Sequence, residues 1–372
     1  MSQDSWLVLG LASRLFGRDA DALLARFGEA DAIVGASASA LQSAGLSART
    51  VRDLTQPDER GLEHCREWLE TGGHTAITWN DPTYPPMLRD IYDAPVLLFV
   101  RGDVDVLSLP QFAIVGSRNA TPGGCETAQR FAAHLGAAGF CITSGLAAGI
   151  DSAAHRGALA ANARTIAVCA TGPDLVYPTQ HTELADDIAR QGAIVTEFPP
   201  GTPPRRAQFP QRNRLISGMS VGTLVVEASR RSGALITARL ASEQGREVFA
   251  VPGSIHNPTA RGCHQLIRSG AKLVESSADI VEELPGILAG IGEFIEQNTA
   301  ETQADTSHVD DADYQRLLTF MGWDPMSVDA LVHRSGLTAE EVSSMLLILE
   351  LEGRVGLLAG GAYIQREKGR LK

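Results

Sequence analysis

Six short apolar runs, at residues 112–115, 140–143, 165–170, 193–196, 223–226 and 248–251, alternate with Ala-rich stretches of helical spacing. Each run gives way to Gly, Ser or Pro and then to a helix-like segment. That alternation is the signature of βα units and of an α/β protein built on a parallel, doubly wound sheet. In such a sheet the functional groups belong at the carboxyl ends of the strands.

At 372 residues the chain has room for two or three domains of about 150 residues. Its 44% hydrophobic and 20% charged content is that of a folded protein. An aromatic share of 5% with 37 glycines suits Ala/Gly-rich α/β layers better than an aromatic-rich sandwich. The five cysteines, Cys65, Cys125, Cys141, Cys169 and Cys263, are odd in number and never form CxxC, which argues against a disulfide framework and against zinc. His256 and His264 beside Cys263 make a poor ligand set in a single loop, so neither a metal nor a cofactor is expected. The N-terminus has Asp4 and no basic residue ahead of its short apolar stretch, and no window approaches the ~18 apolar residues of a membrane span. A cytoplasmic protein without a membrane segment is the expectation.

The net charge of -12 weighs against nucleic acid as a partner, but the distribution weighs the other way. Between residues 205 and 246 eight arginines (Arg205, Arg206, Arg212, Arg214, Arg230, Arg231, Arg239, Arg246) face two acids, Glu227 and Glu243, a local balance of +6. Residues 275–313 hold eleven acids and no Lys or Arg, and turn polar and weakly periodic, as a linker does. Four segments follow. Residues 1–75 form a small helical domain with apolar spacing at Leu23, Leu24, Phe27, Ile33 and Val34. Residues 76–289 form the α/β domain, 290–312 an acidic linker and 313–372 a winged helix. The last reading rests on a helix at 314–321, a second from Ser327 to Gly336, a third capped by Thr338 with Glu341, and a hairpin around Gly360 and Gly361.

The first run ends in GSR, which sets Gly116, Ser117 and Arg118 at the mouth of a βα turn, where backbone N–H groups and a helix N-terminus favour an anion. The plainer reading is a tight turn. The spacing is not GxGxxG, and no acid follows the second run where a dinucleotide site needs one. That second run leads into Ser144, Gly145 and Gly149, small residues that let backbone approach a ligand. Asp151 is placed to cap the next helix, and His155, four residues on, is read as its partner in bracing the loop. No HExxH, paired-carboxylate or Walker motif supplies a catalyst.

The string PPGTPPRRAQFPQRNRLISG carries Arg205, Arg206, Arg212 and Arg214 with Phe209 among them. Its prolines make it an extended loop rather than a plain helix, with cations for a phosphate backbone and a ring for a base. The competing reading makes Phe209 a core plug and the arginines a solvated rim. Asn213 braces the turn. After the fifth run, Ser232, Gly233 and Thr237 surround a further helix start that offers a second anion-facing loop, while Glu227 is read as a structural partner of the arginines.

GSRNATPGG, SGLAAGIDSAAHRGAL, FPQRNRLISG, VVEASRRSGALITARLA and VFAVPGS, in that order, resemble the DNA-processing protein A family (DprA, also called Smf), densely over residues 76–285. The resemblance implies an extended Rossmann-like domain flanked by an N-terminal sterile-alpha-motif-like or helix-hairpin-helix-like domain and a C-terminal winged helix. It implies a homodimer that binds and protects single-stranded DNA and loads the RecA recombinase onto it in natural transformation, without catalysis. It would put Arg118 on a phosphate, give Ser144 and Gly145 backbone contacts, and place Arg206, Phe209, Arg212, Asn213 and Arg214 in the DNA pocket. Its dimer surface would involve Leu266 and Ile267. Members often carry a basic residue after the YP turn, where this chain has Thr179 and Gln180, a departure expected to lower affinity. The alternative is a nucleotide-processing enzyme of the phosphoribohydrolase type, which wants a PGGxGTxxE-like loop where this chain reads EASRRSGALIT. Beyond the resemblance, residues 339–353 contain Glu340, Glu341, Glu350 and Glu352 and no Lys or Arg, so the winged helix is expected to meet protein rather than duplex DNA.

Overall fold

The structure, a computed structural model, describes residues 3–284 and parts of 317–365. The chain divides by its contacts into residues 1–298 and 299–372.

In the first unit, a sheet of nine strands has the order β1-β2-β6-β5-β4-β3-β7-β8-β9. The parallel part comprises β3 (Gln111–Val115), β4 (Cys141–Ser144), β5 (Thr165–Val168), β6 (Ala193–Thr196), β7 (Ser220–Val225), β8 (Glu247–Ala250) and β9 (Lys272–Leu273). β1 (His74–Thr78) and β2 (Leu97–Gly102) extend it antiparallel beyond β6. All six apolar runs therefore lie in the sheet. The antiparallel pair and β9 were not anticipated, because no helical crossover marks β1 and β2 and β9 is only two residues long.

The strand period of two sorts side chains between the faces. In β3, Ala113 and Val115 enter one core and Phe112 and Ile114 the other. The first core also takes Leu215, Ile216 and Met219 of α11 (Gln208–Met219), Ala234 and Ala238 of α12 (Ala234–Glu243) and Cys263 of α13 (Arg261–Arg268). It continues without a break into the N-terminal helices through Trp6, Leu9, Leu23, Leu54 and Trp68. The other face is covered by α8 (Pro122–Ala137) and α9 (Ile150–Ala160), with the Phe112 ring against both Phe140 and Phe249 beneath them. Ile188 and Leu184 of α10 (Thr182–Gln191) close that face over β5 and β6.

The N-terminal helices run from α1 (Gln3–Leu11) to α6 (Glu59–Leu69). Ser47 caps Ala48–Thr55 by accepting from the Thr50 N–H at 3.1 Å. The Gly17 N–H donates to the Ala94 carbonyl at 2.8 Å, and a Cβ at Gly17 would meet the Trp79 ring at 2.3 Å, so helix and sheet approach as closely as glycine allows.

In the second unit, Ser327 caps a helix over Val328–Ser335 that ends on left-handed Gly336 (φ 72°). Thr338 and Glu341 form the anticipated box, with the Thr338 N–H on the Glu341 carboxylate at 2.8 Å and the Glu341 N–H on the Thr338 hydroxyl at 3.3 Å. Helix Ala339–Leu351 follows, and the strands Met326–Ser327, Val355–Leu357 and Ala362–Gln365 complete a winged helix. Residues 314–316 of the expected first helix, and Gly360 and Gly361 of the hairpin, lie outside the described residues.

Candidate functional site

The chain runs from β3 through β6 toward one edge of the sheet and then returns to place β7 on the other side of β3, so the direction of winding reverses between β3 and β7. Ligands of doubly wound sheets bind outside the carboxyl ends of the strands at such a reversal. Gly116, Ser117 and Arg118 leave β3 there, and Glu227 leaves β7. The Glu227 carboxylate accepts from the Thr121 N–H at 2.9 Å and the Thr121 hydroxyl at 2.7 Å. Thr121 in turn caps α8 through the Gly124 N–H at 3.0 Å. Glu227 thus holds the loop after β3 and is not a partner of the arginines, a correction to the sequence reading.

The loop after β4 is built around buried charge. Ser144 is fully buried and donates its hydroxyl to the Ile114 carbonyl at 2.6 Å. Asp151 does not cap α9, whose N-cap is Gly149. It sits in the first turn of α9, and its carboxylate accepts from the backbone N–H groups of Gly145 and Ala147. Burial pushes the Asp151 pKa up, with Arg212, those N–H groups and Arg118 opposing. The expected Asp151–His155 bracing is replaced by another contact. His155 is fully buried, and its Nδ1 lies 2.8 Å from Thr165 Oγ1. Thr165 Oγ1 already donates to the Ile142 carbonyl, so it accepts the His155 proton. Burial, then His181 and Arg212, lower the His155 pKa to about 3.

The proline-rich segment corrects the sequence reading most. Only its first part is extended; Gln208–Met219 is an α-helix with Pro210 in its first turn, where the missing N–H has no intrahelical partner to lose. Helical spacing then separates the arginines. Arg205 and Arg206 stay exposed ahead of the helix. Arg212 is 3% exposed and donates from Nη1 to the Gly145 carbonyl at 2.7 Å and to the Val168 carbonyl, and from Nε to Asn213 Oδ1 at 3.2 Å. Arg214 is equally buried, bonded to the Asp93 carbonyl at 2.6 Å and paired with Asp93 and Glu197. These two guanidinium groups are not a solvated rim; they are interior struts.

What faces outward is a smaller set. The Arg118 guanidinium carbon lies 5.3 Å over the half-buried Phe209 ring, and the Tyr177 ring packs against Phe209 at 5.6 Å and 58°. Phe209 is therefore not a core plug. Among the described residues, Arg118, Arg205 and Arg206 form no close ion pair with a carboxylate, and only Arg118 acts on one, Asp151, through its charge. Tyr177 was missed in the sequence, although an aromatic residue in the loop between β5 and α10 was the available signal. Ser232, Gly233 and Thr237 do not join this cluster. Ser232 caps the Ala234 N–H at 3.3 Å and lines a separate groove of about 790 Å³ with Arg230, Arg231 and Leu266, and Thr237 is buried. Ile267 is half-buried against the core beside Leu266.

Two negative observations hold for the described residues. No group of three or more His, Cys, Asp or Glu is placed to hold a metal, and no helix is long and apolar enough to cross a membrane. The reading that no Ser sits in GxSxG is corrected by Gly218 to Gly222, which has that spacing, but Ser220 opens β7 and donates its buried hydroxyl to the Ile216 carbonyl at 2.8 Å.

A doubly wound sheet whose winding reversal carries Arg118 over the Phe209 ring, in a chain that also holds a winged helix, defines a Rossmann-type protein with an anion-facing crevice. Residues 75–285 match DNA recombination-mediator protein A, and residues 299–361 the DprA winged helix domain. The chain belongs to the DNA recombination-mediator protein A family. It is 39% identical over 361 residues to protein Smf of Escherichia coli, covering 96% of this chain and 94% of that one. Over 214 residues it is 45% identical to DNA processing protein DprA of Bacillus subtilis, covering 57% and 72% of the two chains. The crystal structure of DprA from Streptococcus pneumoniae superposes with a TM-score of 0.66 at 36% identity, covering 76% of this chain and 98% of that one. DNA processing protein A of Helicobacter pylori, described for its unique single-stranded DNA binding mode, gives 0.52 at 27%, covering 57% and 96%.

Proposed function

We propose that this protein is a cytoplasmic, non-catalytic recombination mediator that binds single-stranded DNA at the carboxyl ends of β3, β4 and β5. The observation that carries this reading is Arg118 poised over Phe209 with Arg205 and Arg206 unpaired nearby in sequence, cations for phosphates beside rings for bases. The single-strand binding mode of the Helicobacter pylori relative supports it. Of the site residues read from the sequence, Gly116, Ser117, Arg118, Arg205 and Arg206 are assigned to DNA contact, and Phe209 to the ring cluster beside them. Ser144, Gly145, Arg212, Asn213 and Arg214 are assigned to holding the pocket from behind. Protection of an incoming strand and its transfer to the RecA recombinase in natural transformation form the finer part of the proposal, as does a homodimer through Leu266 and Ile267. The family's description as a recombination mediator supports the transfer. The Glu227 carboxylate at the end of β7 is occupied by Thr121, which weighs against a reacting carboxylate there.

Equilibrium binding of fluorescent single-stranded and duplex oligonucleotides across a salt series tests this. Single strands are expected to bind more tightly, and Arg118→Ala to lower the magnitude of the salt slope by about 0.7. Equal preference for duplex, or no binding with base release from nucleoside monophosphates, overturns the reading.

A further inference from the structure

Phe209, the aromatic residue that the sequence offers for stacking, is a poor platform. It is half-buried, Arg118 lies over its ring at 5.3 Å, and Tyr177 leans on it at 5.6 Å. The exposed aromatic surface of the cluster belongs to Tyr177, which keeps 48% of its area open to solvent.

Tyr177 is also held in place. It sits just past a turn at residues 171–175, and within that turn the Thr171 hydroxyl donates to the Leu175 carbonyl at 2.6 Å. The turn is fastened to the segment leading to Arg205 and Arg206. The Gly172 N–H donates to the Thr202 carbonyl at 2.9 Å, and the Gly201 N–H donates to the Asp174 carboxylate at 2.8 Å. Two loops from different strands, β5 and β6, are thus tied together three residues ahead of Tyr177 on one and three ahead of Arg205 on the other. A ring fixed by its scaffold and by a neighbouring ring loses little freedom when a base settles on it.

We propose that Tyr177 is the ring on which a nucleobase of the bound strand stacks, with Phe209 behind it as support and Arg118 on the phosphates. The proposal rests on the single-strand reading above. Stacking accepts any base, because every base has a π-face, so the site selects for unpaired bases rather than for sequence.

Tyr177→Leu keeps an apolar side chain and removes the π-face; Tyr177→Trp keeps a face. Each is compared with the parent protein on a single-stranded oligonucleotide and on a strand of the same length made of abasic sugar-phosphate. Tyr177→Leu is expected to weaken binding to the normal strand by about 5- to 140-fold with an unchanged salt slope, and Tyr177→Trp to bind like the parent. On the abasic strand all three proteins are expected to bind alike. Parent-like binding of the normal strand by Tyr177→Leu overturns the proposal, as does an equal loss on the abasic strand, which would mark Tyr177 as a structural support. Failure of the parent to bind either strand overturns the single-strand reading itself, and this proposal with it.

Discussion

Arg212 Nη1 lies 2.7 Å from the Gly145 carbonyl oxygen and also donates to the Val168 carbonyl, so one buried guanidinium joins the loop after β4 to the end of β5. The fit is tight: a Cβ at Gly145 would stand 2.6 Å from that nitrogen. Arg212→Met would leave two buried carbonyls unpaired and Asp151 without its largest opposing charge. A loss of at least about 2 kcal/mol in denaturant-derived stability is expected. An unfolding midpoint equal to the parent's would contradict the role of Arg212 as a strut.

Glu227 offers a sharper distinction between structure and catalysis. Glu227→Gln keeps an acceptor for the Thr121 N–H and a donor for its hydroxyl, whereas Glu227→Ala keeps neither. Glu227→Gln is expected to retain stability and single-strand binding, and Glu227→Ala to lose about 1–3 kcal/mol of stability. Strand binding or turnover abolished by the Gln variant alone would point instead to a reacting carboxylate.

Gly149 stands at φ 79°, and a Cβ there would lie 2.2 Å from the Ser117 carbonyl, which accepts the Ile150 N–H at 3.1 Å. Gly149→Ala therefore sets the two glycine loops apart as well as straining the backbone. More than about 2 kcal/mol of destabilisation is expected, measured by chemical unfolding.

His155 makes stability depend on pH with a definite sign. Its folded pKa of about 3 lies below the ordinary histidine value of 6.5, so between these values the unfolded chain binds the extra proton. The stability due to neutral His155 is whole above about pH 6.5 and is lost as pH falls toward 3. Asp151 and Glu197, both pushed up by burial, act in the opposite direction, losing stability as pH rises through their elevated values. Comparison with His155→Asn isolates the histidine. The variant is expected to show a shallower slope by up to about 1.4 kcal/mol per pH unit below pH 6.5. Identical slopes in the two proteins would mean that His155 is not held neutral.

The C-terminal segment carries a prediction from charge. Residues 275–313 hold eleven acids and no Lys or Arg, and helix Ala339–Leu351 likewise holds no Lys or Arg. Deleting residues 290–372 is expected to tighten single-strand binding at low salt and to leave duplex binding unchanged. Weaker duplex binding after the deletion would assign the winged helix a DNA-docking role.

The doubly wound sheet was legible because its central parallel strands, β3 to β7, are buried on both faces and are therefore mostly apolar. A run such as 112–115 is visible without any knowledge of its neighbours. The GSR and SGLA loops were legible for a related reason, since glycine and small residues at strand ends mark where backbone must come close. Tertiary structure alone decided which charges face outward. Arg205, Arg206, Arg212 and Arg214 are equivalent as letters, but a helix beginning at Gln208 turns Arg212 and Arg214 toward carbonyls and carboxylates that lie far away in sequence. Antiparallel β1 and β2, and the pairing of Tyr177 with Phe209, depend likewise on partners from distant segments. Local propensity reports what a segment prefers by itself. Burial, pairing and the sign of a local field are properties of what the fold brings beside it.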